Sequence, residues 1–411
     1  MDLMNGRYEK PDERSRLVDS QVSSVNGDEI KLPTTPSYSG QYILVWMTAF
    51  LFMAANSFSF STFSQFLYIK LQRDNFPNVT INTTKAYCNV DTNSTNYLLQ
   101  QDVQEKAAIW GIFLYLVGGV PSVVATFVFG VFTDRLGRKF LFYLSWFGMV
   151  FRTVWVTVGM NLDWSLYMYI PGYFVEGCTG QVFNLIQVSY IYMSDITTVG
   201  KQRSIGIVMI EIAFGLATTF PGLAVGFMLK ETNSFILPFY ISLGMLALTL
   251  ILILCLPETY PPEVRGKYAQ SSRLDNIKNS WGLFCGQENT GRRWMYILTL
   301  LVFTFTCYDL YGRLAMEGLY LLNDPFCWGP EELGIFNALR TGLQQIGGMA
   351  IVVLLKKFLN DESIAILGSA SFGVSFVLEG LATTDTMLYI GNHISATNLS
   401  THLIVLNEIV Y

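Results

Sequence analysis

Apolar residues run along this chain in blocks of membrane-spanning length, separated by short polar turns. Such blocks cover residues 43–69, 107–132, 140–160, 165–193, 204–228, 234–256, 295–322, 332–355 and 363–382. A bilayer core takes about 20 predominantly apolar residues per helix, so the pattern predicts nine spans. The ninth is the weakest, because Glu379 falls inside it. The spans are expected to be helices, since backbone in lipid must satisfy its own hydrogen bonds. Residues 1–40 are polar and read as a disordered cytosolic tail with no cleavable signal peptide. Residues 383–411 are too polar for a convincing tenth span and read as an atypical tail.

Composition supports this pattern. The chain is 51% hydrophobic and only 14% charged, with a mean hydropathy of +0.38, whereas soluble domains carry about 25% charged residues. Most of the surface is therefore expected to face lipid. A net charge of −5 argues against nucleic acid as a partner.

Orientation follows from Lys and Arg in short loops. Basic residues gather at Arg135–Lys139, at Lys201 and Arg203, between Arg265 and Arg293, and at Lys356 and Lys357. If the spans alternate, all four loops lie on one side, which is then cytosolic. The long loop 257–294 becomes a cytosolic linker between a six-helix bundle (41–256) and a partial second bundle of about three helices (295–382). The outward loop 70–106 carries three glycosylation sequons, at Asn78, Asn82 and Asn93. Cys88 and Cys327 are the two of six cysteines that fall in outward loops. The expectation is a Cys88–Cys327 disulfide, since outward loops meet an oxidising environment; the alternative is two free thiols. The only histidines are His393 and His402, and no CxxC or Cys/His cluster occurs, so no metal site is expected. No nucleophile triad or nucleotide motif points to an enzyme.

Charged groups inside spans are costly and are functional candidates by default. Arg152 on span 3 and Glu176 on span 4 both lie near the midplane, roughly 16–18 Å from a membrane surface. They are able to pair, as a bolt between helices or as part of a site. Glu211 lies on span 5, roughly 12 Å in from Arg203, with no basic residue near it in sequence. A carboxylate so placed is a candidate for loading and unloading a proton; the bland alternative is a carboxylate in a watery vestibule. Span 7 presents Asp309, Arg313 and Glu317 along one helix face, and Arg340 on span 8 is able to grip a carboxylate. Asp195 ends span 4, where capping span 5, pairing with Lys201 or Arg203, and gating are all open.

At the turn between spans 2 and 3 stands Gly130-x-x-x-Asp134-Arg135-x-Gly137-Arg138-Lys139. It resembles the major facilitator signature GxxxDRxGR[RK] at every fixed position. Leu256-Pro257-Glu258-Thr259 closes span 6 and resembles the PE[ST] ending of many major facilitator first halves. The run Ser194-Asp195-Ile196-Thr197, then Arg203, then Glu211 is similar to a pattern of the proton-coupled folate transporter family (solute carrier family 46). So is Leu319-Tyr-Leu-Leu-Asn-Asp-Pro-Phe-Cys327-Trp328, and the paired outward cysteines match as well. The resemblance implies an all-α major facilitator bundle in two halves, with proton symport of folate-like or other organic anions. It makes Glu211 the proton-coupling carboxylate and Asp195 a residue of the inward gate. It implies a plasma-membrane or lysosomal location and no cofactor beyond the coupling proton. Its partners are then the lipid bilayer, protons and a small organic anion. Two departures follow: the folate member's span-7 histidine has no counterpart, and twelve spans exceed what this sequence provides. The C-terminal half is therefore expected to be incomplete. The competing expectations are a non-transporting membrane receptor or scaffold, and a truncated inactive isoform.

Overall fold

The computed structural model describes residues 39–75, 95–198, 201–232 and 234–259, and beyond them 294, 297–298, 301, 320–321, 326, 328, 330–343, 347–355 and 357–394. The described residues are almost entirely helical and include no strand. The first bundle is built from α1 (Ser39–Asn75), α2 (Thr95–Leu136), α3 (Arg138–Asn161), α4 (Ile170–Cys178), α5 (Gln181–Ile196), α6 (Lys201–Thr232) and α7 (Ile236–Cys255). Then come α8 (Pro330–Gly342), α9 (Gly348–Leu355), α10 (Asp361–Gly380) and α11 (Asp385–Ile394). Five stretches among the described residues are long and apolar enough to cross a membrane: Gly40–Asn75, Glu105–Thr133, Arg138–Asn161, Ile205–Leu229 and Ile236–Cys255.

The predicted fourth span is not one helix. A 3-10 turn (Leu166–Tyr169) leads into α4, which stops at Cys178, and α5 begins at Gln181. The break has a local cause. Gly180 has φ 85° and Gln181 has φ 49°, and left-handed backbone ends a right-handed helix. The Thr179 backbone N–H and hydroxyl both bond back to the Glu176 carbonyl, at 3.1 and 2.7 Å, which closes the end of α4. Glycines at this level let helices approach closely. A Cβ on Gly177 would collide with the Gly118 carbonyl of α2, so that contact is backbone against backbone, as small residues allow in membranes.

Helix α1 is the axle of the bundle and packs against α2, α5, α6 and α7. Some of its polar residues bond to its own carbonyls, as Thr48 and Thr62 do, and others meet neighbouring helices. Ser242 on α7 donates to the Ala55 carbonyl at 2.8 Å and lies 3.0 Å from the Ser59 hydroxyl. The two ends of the bundle differ in chemistry. At one end Arg138, Asp195 and Pro257–Thr259 meet. At the other, an aromatic cluster joins Phe63 on α1 to Tyr169 and Tyr173, with ring centroids 5.6 and 5.5 Å apart.

Asp163 sits at that aromatic end, in the α3–α4 turn, and binds Lys70 at 2.7 Å and also Arg73. The Lys70 hydrogen bond holds the Asp163 carboxyl below its ordinary value of 3.8, with the Arg73 and Lys70 charges assisting. A carboxyl lowered on folding stabilises above its unfolded value and loses that contribution as pH falls through its folded one. Asp163→Asn should therefore lower the melting temperature at pH 7 by about 1–3 °C. The gap to wild type should close below pH ~4, as thermal melts at both pH values would show.

Within the start of the predicted tail a short helix, α11, forms. Trp328 explains why: its indole N–H donates to the Asp385 carboxylate at 3.0 Å, in the first turn of α11. Leu321, Phe326, Trp328, Phe336 and Leu388 then bury one another. The pull is tertiary packing, which hydropathy alone does not register. At 10 residues the helix is about half of what a full crossing takes.

Candidate functional site

Besides the Lys70–Arg73–Asp163 cluster, three polar groupings lie in the first bundle. The first gathers around the α2–α3 turn. Gly137 has φ 90°, which lets α2 and α3 reverse within one residue. That turn exposes the first N–H groups of α3, and Glu258 accepts two of them, from Arg138 at 2.9 Å and Lys139 at 3.2 Å. A carboxylate at a helix N-terminus satisfies orphan donors and meets the positive dipole end. The Arg138 side chain turns inward, donates to Asp195 at 2.9 Å and to the Thr133 hydroxyl at 2.9 Å, and is only 7% exposed. Thr259 donates to the same Asp195 oxygen at 3.0 Å, and Tyr192 donates to the Pro257 carbonyl at 2.8 Å. Lys139 reaches the Leu254 carbonyl at 2.8 Å. The network therefore latches α2, α3, α5 and the end of α7 together.

The sequence left the partner of Asp195 open, and the structure pairs it with Arg138. Arg203 instead donates to the carbonyls of Ser194 at 3.1 Å and Thr197 at 3.5 Å, the open acceptors at the α5 terminus. Glu258 was missed as a partner of the turn, although the Pro257-Glu258-Thr259 run had been noticed. Of the rest of the motif, Gly130 stands where a Cβ would strike the Gln187 side chain of α5, and Arg135 is in the last turn of α2. The Asp134 side chain lies outside the described residues.

The second grouping is at mid-depth. Arg152 Nε lies 2.8 Å from the Glu176 carboxylate, and both side chains are buried, at 4% and 6% exposure. By distance this is an ion pair, although the Nε–H is not well aligned as a hydrogen bond. The guanidinium also donates to the Asn56 amide oxygen of α1 at 3.1 Å and stacks over the Tyr173 ring at 5.6 Å. The pairing read from helical depth is thus present, and it ties α3, α4 and α1.

The third grouping is the α5–α6 hairpin. Tyr190, Ser194 and Thr197 share one face of α5 by their spacing, and Arg203, Ile207, Glu211 and Phe214 share the opposing face of α6. Contacts run the length of this seam: Arg203 to Ser194 and Thr197, Ile207 against Tyr190, and Tyr190 edge-on to Phe214 at 6.4 Å. Within it the Tyr190 hydroxyl donates to the Glu211 carboxylate. No ion pair to Glu211 occurs among the described residues. Tyr190 was not foreseen, since a tyrosine on an apolar helix gives no sign of what it will face.

On α8, which packs against α6, Arg340 is 4% exposed and stacks on Phe336 at 5.9 Å. Asp309, Arg313 and Glu317, the cysteines Cys88 and Cys327, and the sequons at Asn78, Asn82 and Asn93 lie outside the described residues. No cluster of His, Cys, Asp and Glu able to hold a metal occurs among the described residues.

The Major Facilitator Superfamily model matches residues 45–400. The chain is 23% identical to the lysosomal proton-coupled steroid conjugate and bile acid symporter of Gallus gallus, over 85% of this chain and 76% of that protein. It is 22% identical to the proton-coupled folate transporter of Bos taurus, over 71% of this chain and 63% of the relative. The fold is similar to that of the human organic anion transporter TETRAN, with a TM-score of 0.63 and 16% identity over 92% of this chain and 86% of that one. It is also similar to the proton:xylose symporter XylE, with a TM-score of 0.59 and 10% identity over 91% and 82% of the two chains. The long family match, the turn motif in its expected place and the helical bundle agree: the chain belongs to the Major Facilitator Superfamily, and it is a multi-pass membrane transporter and not an enzyme.

Proposed function

We propose that the chain is a proton-coupled symporter of amphipathic organic anions, with Glu211 as the coupling carboxylate and the Arg138–Asp195 latch as part of its cytosolic gate. The observation that carries this reading is Glu211 itself. It is an acidic side chain inside a membrane-spanning helix whose hydrogen-bond partner among the described residues is a neutral tyrosine. A carboxylate already neutralised by a cation has little reason to take a proton; one facing a neutral donor retains it. The names of the relatives support the coupling ion and the anionic cargo. Two substrate chemistries stand behind them, steroid conjugates and folates. The absence of any histidine before His393 removes the counterpart of the folate member's span-7 histidine, which favours the first.

The test is uptake into proteoliposomes with acid outside. An anionic steroid sulfate should accumulate above its equilibrium level and be released when a protonophore is added. Folate should compete weakly. Equal uptake with and without the proton gradient would remove the coupling, and uptake of folate alone would reverse the choice of substrate.

A further inference from the structure

The α5–α6 seam carries more than a candidate proton site. Helix α5 presents different residues to two different partners. Tyr190 faces α6 and Glu211, whereas Tyr192 and Asp195 face the latch, through Pro257 and Arg138. The break at Gly180–Gln181 separates α5 from α4, so α5 is a short rigid rod of 16 residues held at one side by Glu211 and at the other by the latch. A hydroxyl donating to a charged carboxylate makes a stronger bond than one donating to a neutral acid.

We infer that Tyr190 is the positioning residue of the proton site: its hydroxyl holds the ionised Glu211 carboxylate against α5, and the tie slackens when Glu211 takes a proton. The inference rests on Glu211 being the coupling carboxylate. What it adds is the route by which the proton state of α6 is felt by the helix that carries Asp195. Protonation on α6 frees α5 to shift, and α5 is a member of the latch. Deprotonation pulls it back.

The charged surroundings are few. Helix α6 packs against α1, α5 and α8. Those helices carry Tyr42, Tyr68, Lys70, Arg73 and Asp74 on α1, Tyr190, Tyr192 and Asp195 on α5, and Glu331, Glu332 and Arg340 on α8. Helix α6 itself adds Lys201, Arg203, Lys230 and Glu231 near its ends. Among the described residues Tyr190 is the one of these that contacts Glu211. Lys70, Arg73 and Asp74 are engaged with Asp163 or one another at the aromatic end. Asp195 is engaged with Arg138, and Arg340 is stacked on Phe336.

The experiment is an infrared pH titration of the full chain in proteoliposomes. The Glu211 band is identified as the protonated-carboxyl band that Glu211→Gln removes. In Tyr190→Phe that band should persist to a pH about one unit higher than in wild type, the shift expected from losing one hydrogen bond to a charged acceptor. The pH profile of gradient-driven uptake should move with it. A Glu211 band that titrates with the same midpoint in Tyr190→Phe overturns the role of Tyr190 and leaves the coupling role of Glu211 standing. A spectrum in which Glu211→Gln removes no titrating band between pH ~4 and ~9 overturns both. Should Tyr190→Phe not fold, ring-labelled tyrosine in the wild-type chain gives the answer. One tyrosine band should shift with the carboxyl midpoint and cease to do so in Glu211→Gln, and tyrosine bands indifferent to Glu211 would overturn the inference.

Discussion

Glu176→Gln should be among the most damaging single changes in the first bundle. It removes one partner of a buried pair and leaves the Arg152 guanidinium charged, 4% exposed and held by Asn56, the Met149 sulfur and the Tyr173 ring, none of which carries a charge. Breaking a buried ion pair from one side costs about 3–5 kcal/mol, mostly as the penalty of the stranded charge. In a bundle of this size that is a fall in melting temperature on the order of 10 °C. Arg152→Met should be as harmful, for the mirror reason. The two together should be less harmful than either, because no charge is left buried; fluorescence-detected melting of the four proteins closes the cycle. A double variant as unstable as the sum of the singles would contradict the account of the pair as a bolt between α3 and α4. If the double variant is stable and still transports, the pair serves only the fold. If it is stable and silent, the pair belongs to the substrate path.

Much of this architecture could be read in the sequence because membrane helices advertise themselves. Five of the predicted first six spans coincide with continuous helices within a few residues, since an 18-residue apolar run has few other structures open to it. The α2–α3 turn was legible for the same kind of reason. Its glycines and basic residues stand at fixed spacing, and Gly137 does adopt a backbone that suits glycine. The Arg152–Glu176 pair was found by counting depth along two helices. That works because two opposite charges at one depth on sequence-adjacent helices have few alternatives to meeting.

Other features were illegible for reasons equally physical. Hydropathy averages over a window, so it passed through Cys178-Thr179-Gly180 without seeing that two left-handed residues divide the span. The glycines at 177 and 180 were the available signal. The partner of Asp195 stayed open in the sequence, because proximity along the chain is a poor guide to proximity in space. Asp195 is close in sequence to Arg203, but the α5 carbonyls engage Arg203 and the latch engages Asp195. Glu258 and Tyr190 were overlooked because their meaning depends on partners 120 and 21 residues away. Helix α11 is invisible to hydropathy because its support comes from Trp328 and the aromatic cluster, and not from its own composition.

The most direct test of the central claim is Glu211→Gln, assayed in two ways on the same vesicles. Glutamine mimics the protonated acid in size and charge but cannot release a proton. Exchange of labelled for unlabelled substrate across the membrane needs no net proton movement, so it should continue at close to the wild-type rate. Accumulation driven by an inward proton gradient needs release at every turnover, so it should fall at least about tenfold, the loss of a state that the cycle must visit. The account predicts that split: exchange kept, accumulation lost. A Glu211→Gln protein that still accumulates substrate against its gradient at the wild-type level would contradict it, and so would one that loses both activities in equal measure while remaining folded.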